Sequence, residues 1–114
     1  MEQFNRIEIK GIIGNVRYSN FSDSSLANVS VATNYMYKTR EGQAVAETTW
    51  FIVLVREGKV CEDVKKLKKG LPVYVTGRFK TRNFTDSDGI ERQAYEVVAN
   101  RIDILSEDGS VVAQ

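Results

Sequence analysis

The sequence predicts an all-β protein, a five-stranded barrel with one short helix between the third and fourth strands. Segments in which apolar and polar residues alternate recur along the 114 residues, and this two-residue period is typical of half-buried strands. Polar, turn-forming stretches separate these segments, and a single segment shows helical periodicity. With 42% hydrophobic residues the chain has enough apolar side chains for one core, so we expect one domain.

The first strand is predicted over residues 5–18, where Ile7 and Ile9 alternate with polar neighbours. Glycines at positions 11 and 14 interrupt this strand, and glycine inside a strand indicates a bend or a bulge. A polar loop over residues 18–25 follows and leads into the second strand.

The second strand is predicted over residues 26–37, with Val29 and Val31 on the side that faces the core. Strict alternation places Tyr35 and Tyr37 on that same inward side. We therefore expect the two tyrosines to lie at a binding surface only if the strand bulges near Asn34, and otherwise to cap the end of the barrel. Residues 38–43 have turn composition and predict an exposed hairpin tip.

The third strand is predicted over residues 47–56 and is apolar on both sides, which indicates that both of its faces are covered. One row is assigned to the core: Phe51, Val53 and Val55. The other row faces a subunit, a ligand or a peripheral element: Trp50, Ile52 and Leu54, ending at Arg56.

The helix is predicted over residues 59–69, because Val60, Val64 and Leu67 share one helical face. Four lysines near its end suit the helix dipole, and Gly70 is placed to cap it. We interpret the lysine cluster as a solvated helix face.

The fourth strand is predicted over residues 71–84 and the fifth over residues 91–105, with a hairpin turn at residues 85–89 and a shift of register near Asn100. The element order is that of the OB-fold, a Greek-key barrel whose face and loops hold oligonucleotides or oligosaccharides. We expect residues 1–105 to form this domain and residues 106–114 to form a short tail without regular structure.

Several classes of function are disfavoured by the residues that are missing. The chain has no histidine, which excludes His-based acid–base catalysis and the Ser-His-Asp triad. It also lacks the common glycine-rich nucleotide-binding motifs, so we expect no enzyme and no cofactor. Cys61 is the only cysteine, which predicts a cytoplasmic protein without a disulfide or a metal site. No apolar run approaches the roughly 18 residues that cross a bilayer, so we expect no membrane partner.

The fourth strand carries the clearest binding pattern. Three cations and an aromatic residue share one side: Arg78, Lys80, Arg82 and Phe84. Val75, Gly77 and Phe79 take the opposite, inward side. Single-stranded nucleic acid is bound by aromatic rings that stack on bases and by cations that follow the phosphates. The net charge of +1 is small, but a locally basic face is compatible with it.

The chain resembles the bacterial single-stranded-DNA-binding protein family over residues 4–105. The order and spacing of the following segments carry the resemblance: Asn5-Arg-Ile7 with Gly11 and Gly14, Val31-Ala-Thr-Asn34, Glu47-Thr-Thr-Trp50, Gly58-Lys59, Leu67-Lys-Lys-Gly70, Val73-Tyr-Val-Thr-Gly-Arg78, Lys80-Thr-Arg-Asn-Phe84 with Asp86 and Gly89, and Tyr95-Glu-Val-Val98.

The resemblance implies an OB-fold that assembles as a homotetramer, or from fewer subunits, and binds single-stranded DNA in replication, recombination and repair. Its stacking aromatics correspond to Tyr37, Trp50 and Phe84, and its cations to Lys59, Lys80 and Arg82. Together with the pattern of the strands this gives the predicted DNA-binding set: Tyr37, Lys38, Trp50, Arg56, Lys59, Arg78, Lys80, Arg82 and Phe84.

Family members usually continue into a long linker and an acidic tip that recruits other proteins. We expect a short form without that tail and without tail-mediated recruitment. Two alternatives remain open from the sequence. An OB-fold module for protein interaction, of the primosome accessory type, is compatible with an apolar row at Ile52 and Leu54. RNA binding is compatible with the same stacking residues, because a ring does not distinguish the sugar.

Overall fold

The computed structural model describes residues 1–20, 25–58, 60, 61, 63–106 and 110–113. Within that part of the chain the strands are β1 (Ile7–Asn20), β2 (Ser25–Lys38), β3 (Ala44–Arg56), β4 (Pro72–Thr85), β5 (Glu91–Leu105) and β6 (Val111–Ala113). Their order in the sheet is β3-β2-β1-β4-β5-β6, and a parallel pairing of β3 with β5 closes the first five strands into a barrel. The predicted all-β, five-stranded barrel is confirmed.

The barrel interior is filled by the inward rows that alternation predicts. Val29, Val31, Val53, Val55 and Val75 have no exposed surface. β-branched side chains fit this position because they pack well on a pleated surface. Their burial removes most of the apolar side-chain area from water, which is the main favourable contribution to folding.

Two irregularities bend the strands where the sequence predicts them. The pairing of β1 with β2 shifts register between Ile13 and Asn15, at the second glycine of β1. The pairing of β4 with β5 shifts between Thr76 and Gly77, which leaves Asn100 of β5 without a directly opposed residue. Bulges of this kind increase twist and let the long strands serve two neighbours, as β1 does with β2 and β4.

The predicted helix is wrong for the described part of its range, since only Val64–Lys66 form one 3₁₀ turn. Leu67 is extended and ends the turn, while its carbonyl accepts a hydrogen bond from the Tyr18 hydroxyl at 2.8 Å. The Gly70 amide donates to the Ile13 carbonyl at 2.8 Å. Backbone groups that would continue a helix therefore bond to β1 instead. The apolar stripe still enters the core, with Val64 and Leu67 buried.

The tail also differs from the expectation. Val111–Ala113 form β6, which pairs antiparallel with the end of β5 through Leu105 and Ile104. The prediction of a tail without regular structure is therefore wrong for this segment. Among the described residues, no helix is long and apolar enough to cross a membrane.

Candidate nucleic-acid interface

The hairpin of β4 and β5 extends beyond the barrel and carries the predicted basic row. Gly77 is buried, whereas every β4 residue from Arg78 to Thr85 is exposed. The turn that joins the strands is held by Asp86, whose carboxylate accepts from the Asp88 amide at 2.9 Å and from the Ile90 amide at 3.0 Å. An ion pair with the Arg92 guanidinium, together with these bonds, lowers the pKa of Asp86 below its ordinary value. The hairpin is thus a defined support for its side chains.

One cleft of about 470 Å³ lies between this hairpin and the outer side of the barrel. Its lining includes two aromatic residues, two arginines and one glutamate beside neutral polar and apolar residues: Asn15, Arg17, Asn28, Ser30, Ile52, Arg82, Phe84, Gln93, Ala94, Tyr95 and Glu96. The predicted residues Arg82 and Phe84 therefore share a cleft with Ile52 of β3. Arg17 and Tyr95 were not predicted. Tyr95 belongs to the hairpin itself, whereas Arg17 belongs to β1, which the closed barrel brings to this place.

A second cleft of about 460 Å³ lies on the same hairpin, nearer the barrel. It brings together three of the predicted cations, Arg56, Arg78 and Lys80, with the half-buried Leu54. None of these three cations forms an ion pair with another residue in the described ranges. Their charge is available to an anionic ligand.

Arg82 differs from these cations because it is oriented by an acidic partner. Its Nε atom donates to Oε1 of Glu96 at 3.0 Å, and the Glu96 side chain is only 7% exposed. The guanidinium carbon of Arg82 lies 5.5 Å from the centre of the Phe84 ring, within the range of a cation–π contact. Glu96 was not predicted. A signal was present in the sequence, because the hairpin register places Glu96 opposite Lys80, two residue pairs from Arg82 and on the same side of the hairpin.

Trp50 lies on the outer side of β3, as its parity with Ile52 and Leu54 predicts, and its side chain is 59% exposed. Its ring rests on the bulge of β1. A Cβ atom at Gly14 would come within 2.4 Å of Cζ3 of Trp50, so glycine is the residue that leaves room for the indole. Phe51, on the other side, packs against the core.

Tyr35 and Tyr37 are exposed although β2 has no bulge near Asn34, which was the condition expected for their exposure at a binding surface. The pairing of β2 with β3 is continuous from Leu26 to Lys38. The tyrosines keep the inward side, but the β2–β3 hairpin has passed the end of the barrel there, and they are 68% and 40% exposed. Their ring centres lie 6.2 Å apart.

Phe79 repeats the same behaviour on β4. It was assigned to the interior with Val75 and Gly77, yet it is 43% exposed. Phe79 lies on the predicted side of the strand, but the prediction that this side is buried is wrong here, because the β4–β5 hairpin also continues past the barrel.

Eight of the nine predicted binding residues lie in the described part of the chain and are distributed over three places. The two clefts contain Arg56, Arg78, Lys80, Arg82 and Phe84. Neither cleft contains Tyr37, Lys38 or Trp50, which lie on the β2–β3 hairpin and are exposed. Lys59 lies outside the described residues.

The fold and the interface define a class: an OB-fold barrel with an exposed hairpin that carries aromatic and basic residues. Residues 4–105 match the model of the Single-strand binding protein family. The chain belongs to that family.

Similar proteins agree with this assignment. The chain is 37% identical over 105 residues to a single-stranded DNA-binding protein of Neisseria meningitidis. The aligned residues cover 89% of this chain and 59% of the relative. It is 34% identical over 108 residues to a protein of the same name from Xanthomonas campestris, covering 92% of this chain and 62% of the relative. The chain therefore spans about three fifths of the length of these curated relatives.

Two solved structures share the fold. One is described as a Plasmodium falciparum SSB complex with ssDNA, with a TM-score of 0.80, 24% identity, and coverage of 93% of this chain and 98% of the other. The other is a deletion mutant of the single-stranded DNA binding protein from Thermus aquaticus, with a TM-score of 0.73, 18% identity, and coverage of 96% and 54%.

Proposed function

We propose that this domain binds single-stranded DNA without sequence preference and catalyses no reaction. The observation that carries the proposal is the β4–β5 hairpin, where Arg78, Lys80, Arg82 and Phe84 are all exposed on strands that line two clefts. Membership of the single-strand binding protein family supports it, as do the names of the relatives.

Each part of the interface matches one chemical need of the ligand. Arg56, Arg78 and Lys80 supply positive charge for phosphates, since none of them pairs with an acidic residue in the described part of the chain. Phe84, Trp50 and Tyr37 supply exposed rings for bases, and each stacked base contributes about 1–3 kcal/mol. Lys38 and Lys59 complete the proposed set.

A preference for single strands and an indifference to sequence follow from this chemistry. Every base has a π-face, so a stacking ring accepts all four. In a duplex those faces are already covered by neighbouring bases, and only an unpaired strand offers them to the protein. We place the activity in replication, recombination or repair in the cytoplasm, as the family resemblance and the single cysteine imply.

We also propose that the chain self-associates, as a tetramer or a dimer. Residues 7–10 of β1 pair only with β4 among the described residues, which leaves one side of the strand open to another strand. The large apolar side chain next to this edge, Ile12, is 52% exposed. Light scattering of the purified protein gives the number of subunits.

The test of DNA binding compares two double charge reversals that change the net charge equally. One is Lys80→Glu with Arg82→Glu in the interface, and the matched control is Lys65→Glu with Lys66→Glu on the exposed 3₁₀ turn. Binding to poly-dT is measured by fluorescence anisotropy over a range of salt concentrations. We expect the interface variant to lose at least about tenfold in affinity. The slope of log affinity against log salt is expected to flatten by about 0.7 for each phosphate that the variant no longer neutralises.

The control variant is expected to bind within about threefold of the unsubstituted protein, because screening weakens distant charges. Equal losses in the two variants would contradict a localised interface. Unchanged binding of poly-dT by the interface variant would contradict the hairpin as the interface, whereas the protein-interaction alternative predicts that the variant keeps a protein partner.

A further inference from the structure

The first cleft, of about 470 Å³, has the β4–β5 hairpin as one wall and the outer side of the barrel as the other, and Arg17 of β1 belongs to the barrel wall. Its neighbour Val16 packs against the core, whereas Arg17 is exposed. Its partner across the β1–β2 pairing is Asn28, which lies between the fully buried Ala27 and Val29. Because side chains alternate along a strand, Arg17 and Asn28 both lie on the outer side of the barrel.

The charge of Arg17 has no acidic partner in the described part of the chain. The one acidic residue among those that line the cleft is Glu96, and it is bound to Arg82 on the other wall. The residues beside Arg17 on the barrel wall carry no charge: Asn15, Asn28, Ser30 and Ile52. A phosphate in the cleft would therefore meet one uncompensated positive charge on this wall.

Arg82, the second arginine of the cleft, is in a different state. Its Nε atom donates to Oε1 of Glu96 at 3.0 Å, and the Glu96 side chain is only 7% exposed. A carboxylate at this distance cancels most of the attraction that the arginine would exert on a phosphate. The guanidinium carbon of Arg82 also lies 5.5 Å from the centre of the Phe84 ring, and this cation–π contact supports the ring.

We propose that Arg17 is the phosphate-binding cation of the first cleft and that Arg82 is a positioning residue, which holds the Phe84 ring for a base. The inference deepens the proposed function and depends on it, because the ligand is the same single strand of DNA. It assigns the two devices of single-strand binding, charge and stacking, to opposite walls of one cleft. The strand places a phosphate on the barrel wall and a base on the hairpin wall.

The test of Arg17 measures oligo-dT binding by fluorescence anisotropy over a range of salt concentrations. Arg17→Gln removes the charge and Arg17→Lys keeps it. The matched control is Lys65→Gln, which removes one charge from the exposed 3₁₀ turn outside both clefts. We expect Arg17→Gln to weaken binding at least about fivefold at low salt and to flatten the slope of log affinity against log salt by about 0.7. Arg17→Lys and Lys65→Gln are expected to keep the slope.

An abasic deoxyribose-phosphate strand of the same length separates phosphate contacts from base contacts. Arg17→Gln is expected to weaken the binding of the abasic strand and of oligo-dT by the same factor, because both strands carry the phosphates. Phe84→Ala is expected to weaken the binding of oligo-dT alone, since the abasic strand offers no base to the ring.

Arg82 is tested by removing its ion pair as a whole. The double variant Arg82→Gln with Glu96→Gln leaves the net charge of the cleft unchanged, because it removes one charge of each sign. We expect the double variant to keep the salt slope and to weaken the binding of oligo-dT but not of the abasic strand. In the Phe84→Ala background it is expected to add no further loss, which is the mark of residues that act as a unit.

Two outcomes overturn the inference while the proposed function stands. In the first, Arg17→Gln keeps the affinity and the salt slope of the control variant. In the second, the double variant flattens the slope by about 0.7 and loses affinity equally on both strands, which would assign the phosphate contact to Arg82. A change of subunit number in Arg17→Gln with unchanged affinity per site also overturns it, by assigning Arg17 to a contact between copies. If the unsubstituted protein fails to bind oligo-dT at low salt, the proposed function itself is contradicted.

Discussion

The barrel and the two hairpins that extend from it follow the same alternation of side chains but bury them to different extents. On β2 the inward row begins with Val29 and Val31, which have no exposed surface, and ends with Tyr37, which is 40% exposed. On β4 the same row runs from the fully buried Val75 to the exposed Phe79. Alternation decides the side of a strand on which a residue lies, whereas burial depends on whether other strands cover that side.

This difference separates stability from binding within single strands. The barrel ends of β2 and β4 bury aliphatic side chains, while their hairpin ends expose aromatic and basic ones. Substitutions in the barrel are therefore expected to change the free energy of unfolding. Substitutions on the hairpins are expected to change affinity for DNA and to leave folding nearly intact.

The largest effect on stability is expected at Leu67, which is fully buried beneath the barrel although its segment forms only one 3₁₀ turn. Leu67→Ala is expected to lower the free energy of unfolding by about 2–5 kcal/mol, since it leaves a cavity in the core. Urea denaturation measures this loss, with the exposed Lys68→Ala as the control. A loss below about 1 kcal/mol would contradict the burial of this segment.

The largest effect of a single hairpin substitution is expected at Trp50. Trp50→Ala is expected to weaken binding to oligo-dT by about 1–3 kcal/mol, because it removes an exposed ring. The free energy of unfolding is expected to change by less than about 0.5 kcal/mol. Calorimetric titration and urea denaturation of the same protein give both numbers, and a reversed ranking would assign Trp50 to the core.

A smaller effect of opposite sign is expected at Glu96, whose carboxylate accepts a hydrogen bond from Arg82 at 3.0 Å. Glu96→Gln keeps an oxygen acceptor for the guanidinium but removes the negative charge from the cleft. We expect affinity for oligo-dT to rise a few-fold and the salt slope to steepen by up to about 0.7, the value for one phosphate contact. Weaker binding would contradict this expectation. It would show that the main effect of Glu96 is to orient the Arg82 side chain for the ligand, and that cancelling its charge matters less.

The smallest effect concerns pH and the hairpin turn. Arg92 and the turn amides lower the pKa of Asp86 in the folded protein. The ionised carboxylate therefore stabilises the turn fully at pH values above the ordinary pKa of 3.8. This contribution is lost as pH falls through the lowered pKa. The amide resonances of Asp88 and Ile90 are expected to shift in that acidic range. In Asp86→Asn the same shifts are expected to be absent.

Much of this organisation was predictable because it depends on local pattern. The strands, both hairpin turns, the bulge in β1 and the shift near Asn100 follow from alternation and from turn residues. The hairpin register would also have located Tyr95, which lies opposite Thr81 once the turn is fixed. Arg17 carried no such signal, since only closure of the barrel brings β1 beside the β4–β5 hairpin.

The helix and the tail show where local pattern fails. The stripe of Val60, Val64 and Leu67 fits a helix, but hydrogen bonds to β1 compete for its backbone and leave one turn. β6 depends on pairing with the end of β5, a contact that two valines and an alanine do not indicate by their own pattern.

The most direct measurement of the central claim is a salt titration of poly-dT binding followed by the fluorescence of Trp50, the only tryptophan. The account predicts strong quenching, because bases stack on an indole that is 59% exposed. We also expect the logarithm of the affinity to fall linearly with log salt, with a slope of about −0.7 for each phosphate contact. Absence of binding at low salt, or binding that leaves Trp50 unquenched and insensitive to salt, would contradict it.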